Sequence, residues 1–200
     1  GLDLLGDRAG GLVVVEQQPE VAALDPGLLD LPPVEAMRAL TARLPDGDDL
    51  ATALRLIAAP AVFTAAVVRA HQGQAPVAPD PALSHAADAL QMISGRVPAK
   101  AQSDALDTYL VTVSDHGLNA STFAARVIAS TRAGLTSAVL GGISALKGPL
   151  HGGAPGPVIE MLDEIGQPAN ARAWIESALA RGDRLMGFGH RVYRVRDPRA

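Results

Sequence analysis

The sequence predicts an all-α fold of many closely packed helices, and two observations carry that expectation. Hydrophobic residues make up 48% of the 200 residues but aromatic ones only 3%, so alanine, leucine and valine must build the core. Such a core suits helices that approach closely, whereas sheets concentrate aromatic and β-branched side chains. Apolar residues also recur at helical spacing, with glycine and proline punctuating the segments between them.

The same numbers bound the function. A chain of this length suits one domain with a good core, or a domain plus part of a second. A net charge of −4 and a pI near 5.7 leave no basic footprint for nucleic acid. No stretch reaches the roughly 18 uninterrupted apolar residues of a membrane span, and no basic segment precedes an apolar one. Without cysteine there are no disulfides, thiol nucleophiles or cysteine-based metal sites. A soluble cytoplasmic protein is the expectation.

Taken in order, residues 1–30 hold one short candidate strand, Gly10 to Val15, and otherwise read as loop. Pro32-Pro33 opens a helix over Val34 to Leu44, since proline is tolerated in a first turn. Asp46-Gly47-Asp48-Asp49 is a turn whose acidic residues suit the positive end of the next helix. That helix covers Leu50 to Gln72, and Pro60 either kinks it or splits it in two. Gln74 to Pro81 is a proline-rich linker. Asp80 to Ser94 is an amphipathic helix closed by Gly95. Lys100 to Asp115 follows, with Ala105, Leu106, Tyr109, Leu110 and Val113 on one stripe. His71 and His85 lie on these helices and read as surface or core-edge residues.

The pattern breaks at Asp115 to Thr122, where Asn119, Ser121 and Thr122 are all credible N-caps. A single helix is then expected from Ser121 to Leu146, roughly 39 Å long at 1.5 Å per residue. Its small residues, Gly134, Gly141 and Gly142 among them, imply a closely packed neighbour, either a dimer partner or a helix of the same subunit. Val158 to Ile165 forms a short helix ended by Gly166. Pro168 starts another that runs to Ala180 and is closed by Gly182. Arg184 to Ala200 returns to loop.

The candidate site lies where helices end. Ala145 to Gly156 leaves His151 in a bend of glycines and prolines; glycine allows close backbone approach, and proline cannot continue a helix. The plain alternative is a helix–helix turn carrying an incidental histidine. His116 and His190 also stand at helix boundaries beside glycine. The three lack paired metal-ligand spacing, so hydrogen-bond donation to an anionic, carbonyl-bearing ligand suits them better than zinc. Arg191, Arg194, Arg196 and Arg199 follow, and guanidinium groups grip carboxylates and phosphates bidentately. A small di-acid, a phosphorylated cofactor, or both fit this set; a solvated basic face is the plain reading. Gly187-x-Gly189 is not a dinucleotide fingerprint, since no strand precedes it.

Leu146-Lys-Gly-Pro-Leu-His-Gly-Gly153, Met186-Gly-Phe-Gly-His-Arg-Val-Tyr193 and Asp197-Pro-Arg199 together resemble citrate synthase. Asp115-His116 through Phe123 and the Leu83-Ser-His-Ala-Ala87 segment fit its bacterial branch. The likeness covers roughly residues 50–200. It implies an all-α homodimer with a large domain over residues 1–147, of which 1–30 diverge, and the start of a small domain over 148–200. It implies condensation of acetyl-CoA with oxaloacetate, with coenzyme A as the co-substrate carrier and no metal, nucleic acid or membrane partner.

By the same resemblance His151 matches the donor to the acetyl thioester carbonyl, and His190 the residue that polarises the oxaloacetate ketone. His116 and Arg199 match residues that hold oxaloacetate carboxylates, and Ser121 aligns near the thioester. Met186, Gly187, Phe188, Gly189 and Arg191 fall in the loop that wraps the CoA adenine, and Arg194 is a candidate for its phosphates. The family's general base is an aspartate downstream of Asp197-Pro-Arg199, so this chain reads as an N-terminal portion and is expected to be inactive alone. Pro155 stands where the family has asparagine after His-Gly-x-Ala. Two other readings share these motifs: 2-methylcitrate synthase acting on propionyl-CoA, and a non-catalytic ligand-binding paralogue.

Overall fold

Two prolines open the first helices of the computed structural model, which describes residues 25–115, 117–149, 151–152, 155–188 and 194–196. Pro26 begins α1 (Pro26–Leu29), which Asp25 caps by accepting the Gly27 N–H at 3.0 Å. Pro33 begins α2 (Pro33–Thr41), at a position whose N–H would have no helical partner anyway. This helix stops at Thr41, short of the expected Leu44. The Arg43 and Leu44 N–H groups turn back to the Leu40 and Thr41 carbonyls.

Asp49 caps α3 (Leu50–His71) by accepting the Thr52 N–H at 2.8 Å. Hydrogen bonds from the Thr52 hydroxyl and backbone hold its carboxyl below the usual range. Pro60 lies inside this helix without splitting it. Ala59, Val62 and Phe63 beside it are buried, so packing on both flanks holds the turn whose hydrogen bond proline removes. Leu28, Ala36, Leu40, Leu44, Leu56, Phe63 and Met92 belong to one apolar cluster, against which Leu135 and Val139 also pack. Among the described residues α3 alone is long and apolar enough to cross a membrane, with Arg55 interrupting its apolar run. Its buried residues line this core.

The linker ends later than expected. Asp80 accepts the Ala82 N–H, and its own N–H donates to Asp88 Oδ1 at 2.8 Å. Ser84 is then the cap of α4 (His85–Ser94), which ends on Gly95 at φ 74°. Arg69 ties α3 to the linker and to the end of α4, donating to the Ala75 carbonyl at 2.6 Å and the Ile93 carbonyl at 3.4 Å. His71 and His85 are exposed at helix ends.

α5 (Lys100–Val113) buries no residue fully, and Tyr109 is 57% exposed, so the predicted stripe is not a core stripe among the described residues. The expected single helix from Ser121 to Leu146 is two helices, α6 (Ala120–Ser130) and α7 (Leu135–Leu146). The Ser130 and Thr131 hydroxyls donate to the Val127 and Ile128 carbonyls, each at 2.7 Å, in the last turn of α6. Arg132 then adopts φ 59° and Gly134 φ 98°, conformations a helix cannot contain.

The small residues of α7 face α6 in the same chain. A Cβ on Gly141 would strike Ile128 Cδ1, and one on Gly142 would meet Ala125 Cβ at 3.5 Å. The two glycines therefore serve a crossing inside the subunit. α8 (Pro155–Ile165) starts three residues earlier than Val158, with Pro155 in its first turn. A 3-10 turn, Pro168–Asn170, precedes α9 (Ala171–Ala180). Trp174 Nε1 donates to Glu164 at 3.1 Å and links α9 to α8.

The chain divides into two compact units, Gly1–Ser144 and Ala145–Ala200. All regular structure among the described residues is helical, as the composition implied. The candidate strand at Gly10 to Val15 lies outside the described residues.

Candidate active site

His151 stands in the turn between α7 and α8, and the backbone around it is closely tied. Its N–H donates to the Gly148 carbonyl at 2.9 Å. The next N–H, that of Gly152, donates to the Leu146 carbonyl at 2.7 Å, capping one of the carbonyls α7 leaves without a helical partner. The Gly148 N–H closes on the Ala145 carbonyl at 3.3 Å. His151 is half-buried.

The second described piece is the loop after α9. Gly187 adopts φ 82°, and its Cα packs so that a Cβ would touch Val158 Cγ2 at 3.4 Å. Leu185 and Met186 are half-buried, while Phe188 is 72% exposed. Gly187 of this loop thus packs against Val158 in the first turn of α8, the helix that follows His151 in the chain. Arg194 belongs to the same unit and is exposed.

Ser121 belongs to the first unit, in the opening turn of α6. Asn119, not Ser121 or Thr122, is the cap: its Oδ1 accepts the Thr122 N–H at 2.9 Å and the Ser121 hydroxyl at 2.8 Å. Gly142 of α7 passes beside the Ser121 carbonyl, with 3.6 Å to a built Cβ. His116, Gly189, His190, Arg191 and Arg199 lie outside the described residues.

Sequence reasoning missed Asp46. Its carboxylate caps the first turn of α7, accepting the Thr136 N–H at 2.9 Å, the Ser137 N–H at 3.2 Å and the Ser137 hydroxyl at 2.5 Å. The Gly47 carbonyl accepts the Leu135 N–H at 2.8 Å, and the Pro45 carbonyl the Thr136 hydroxyl at 3.0 Å. The Asp-Gly turn was legible, but its partner lies some 90 residues away, where no local pattern points.

A family model described as citrate synthase, C-terminal domain, matches residues 19–200. The 2-methylcitrate synthase of Mycobacterium tuberculosis (strain Erdman) is 46% identical over 168 residues, covering 82% of this chain and 43% of that protein. The citrate synthase of Deinococcus radiodurans is 43% identical over 177 residues, covering 88% and 44%. A solved citrate synthase from Thermoplasma acidophilum, in ternary complex with carboxymethyl coenzyme A and oxaloacetate, superposes with a TM-score of 0.72. It is 30% identical, with 96% of this chain and 54% of that one covered. The chain thus spans about half the length of the relatives it matches.

Proposed function

This chain belongs to the citrate synthase family, and from that premise we propose that its full-length protein condenses acetyl-CoA with oxaloacetate. The acetyl methyl loses a proton to a carboxylate base while the thioester oxygen becomes the enol oxygen. The enol carbon bonds to the ketone carbon of oxaloacetate, whose oxygen takes up a proton. Water then breaks the C–S bond of the citryl thioester, releasing citrate and CoA.

In this reading His151 donates to the thioester oxygen as it gains charge, where a preorganised donor acts most strongly. His190 polarises the ketone, His116 and Arg199 hold carboxylates, and Ser121 stands near the thioester. The 185–192 loop and Arg194 take the CoA. The base is an aspartate outside these 200 residues, which alone are expected to turn nothing over. The observation that carries the reading is the doubly tied turn presenting His151, inside the motif that resembles the family. The ligands named for the Thermoplasma acidophilum relative support the substrate class.

The Mycobacterium tuberculosis relative favours a second reading, 2-methylcitrate synthase acting on propionyl-CoA. The substrates differ by one methylene, worth about 1–3 kcal/mol of discrimination. Thiol release by the full-length protein, with oxaloacetate and each acyl-CoA in turn, decides between them. A higher kcat/KM with acetyl-CoA is expected; propionyl-CoA in the lead would select the second reading. No release from folded protein would remove both.

A homodimer belongs to the same proposal. No residue of α5 or α6 is fully buried, and Tyr109, Val111, Phe123 and Val127 are 57%, 58%, 59% and 49% exposed. A second copy covering these helices would remove that apolar surface from water. Sedimentation of the full-length protein should give twice the protomer mass, with Phe123→Glu shifting it toward monomer; a monomeric wild type would refute the dimer.

A further inference from the structure

We infer that Gly152 is the positioning residue for His151, through a backbone-on-backbone contact that only glycine permits; this rests on the role proposed for His151 above. The two peptide groups flanking the His151 Cα are both tied, one N–H to the Gly148 carbonyl and the other to the Leu146 carbonyl. With both peptide planes held, the direction of the His151 Cα–Cβ bond is set.

Gly152 is what lets the second tie form. Its φ lies outside the left-handed region, so conformational freedom is not the reason for glycine here. A Cβ at this position would run into the Leu146 carbonyl oxygen, with the Leu146 carbonyl carbon and Cγ each at 3.0 Å. The obstacle is main chain in the last turn of α7, which cannot rotate away as a side chain would. An alanine must break the 2.7 Å hydrogen bond or move the peptide that carries His151. Displacements of about 1 Å at a reacting group cost up to a hundredfold in rate. Gly156 is the natural control, because a Cβ there meets nothing within 4 Å.

The test uses the full-length protein with acetyl-CoA and oxaloacetate. Gly152→Ala should lower kcat about tenfold while the KM for oxaloacetate changes less than twofold, and Gly156→Ala should retain wild-type kcat. Adding Leu146→Ala to Gly152→Ala removes the Cγ contact but not the carbonyl, so kcat should stay low; recovery would overturn the backbone account. The His151 ring Cε1–H resonance, identified by its loss in His151→Ala, should shift in Gly152→Ala and stay in place in Gly156→Ala. An unmoved resonance, unchanged kcat, or loss of the folded state in Gly152→Ala would each refute the positioning role. A moved resonance in a protein whose wild type releases no CoA would sustain the positioning role and reject the activity instead.

Discussion

Replacing His151 with alanine in the full-length protein is expected to lower kcat by about two to three orders of magnitude. Removing one donor from a developing oxyanion costs about 3–4 kcal/mol in well-studied cases. His151 would act on the acyl thioester and not on the keto acid, so oxaloacetate affinity should stay within about twofold, read by calorimetry. His151→Gln restores a neutral donor and should recover only a small part of the rate. A His151→Ala protein with full turnover would remove the residue from the chemistry. The effect should also exceed that of Gly152→Ala, because the glycine only directs a group that His151→Ala deletes.

Asp46→Ala is expected to give the largest loss of stability among these substitutions, about 2 kcal/mol, by removing a helix cap that also joins two distant parts of the first unit. That corresponds to a fall in Tm of roughly 4–8 °C for a protein of this size. The carboxylate is exposed, so solvent screens its charge and the loss comes from unsatisfied N–H groups at the start of α7. The Ser137 hydroxyl is the largest cause holding the Asp46 carboxyl below 3.8, followed among the stabilising bonds by the Thr136 N–H. Because the folded value is depressed, this contribution is complete above the unfolded value and fades as pH falls through the folded one, below about pH 4. Asp46→Asn keeps an acceptor for Thr136 and should lose about half as much, with a flatter acid limb. Parallel acid-melting curves for wild type and Asp46→Asn would refute the assignment.

Local chemistry explains which elements were legible. Gly95, Gly166 and Gly182 at helix ends, and Pro33 at a helix start, act within a few residues of where they stand. The His151 turn was legible for the same reason, since Gly148 and Pro149 just before the histidine do not continue α7, although Pro155 to Pro157 after it open α8. Where two or three local signals competed, the outcome was not legible. Asn119, Ser121 and Thr122 can each cap, and Asn119 does so because its Oδ1 reaches the Thr122 N–H. Pro60 signals a break, yet the core residues beside it hold α3 together. Ser130 to Gly134 contains no proline, so the break between α6 and α7 did not stand out in a chain where serine, threonine and glycine also occur inside helices.

The sequence by itself determined the helical class, the turn that presents His151, and the motif order by which the chain resembles its family. Those properties follow from backbone preferences and short-range spacing, which each segment carries alone. Only the tertiary structure decided that Asp46 caps α7, that Gly141 and Gly142 serve a crossing within the subunit, and that Gly152 closes on the Leu146 carbonyl. Each of these depends on two groups meeting in space. Hydrogen bonds and van der Waals contacts fall away within a few ångströms, and a linear pattern does not record which groups the fold brings that close.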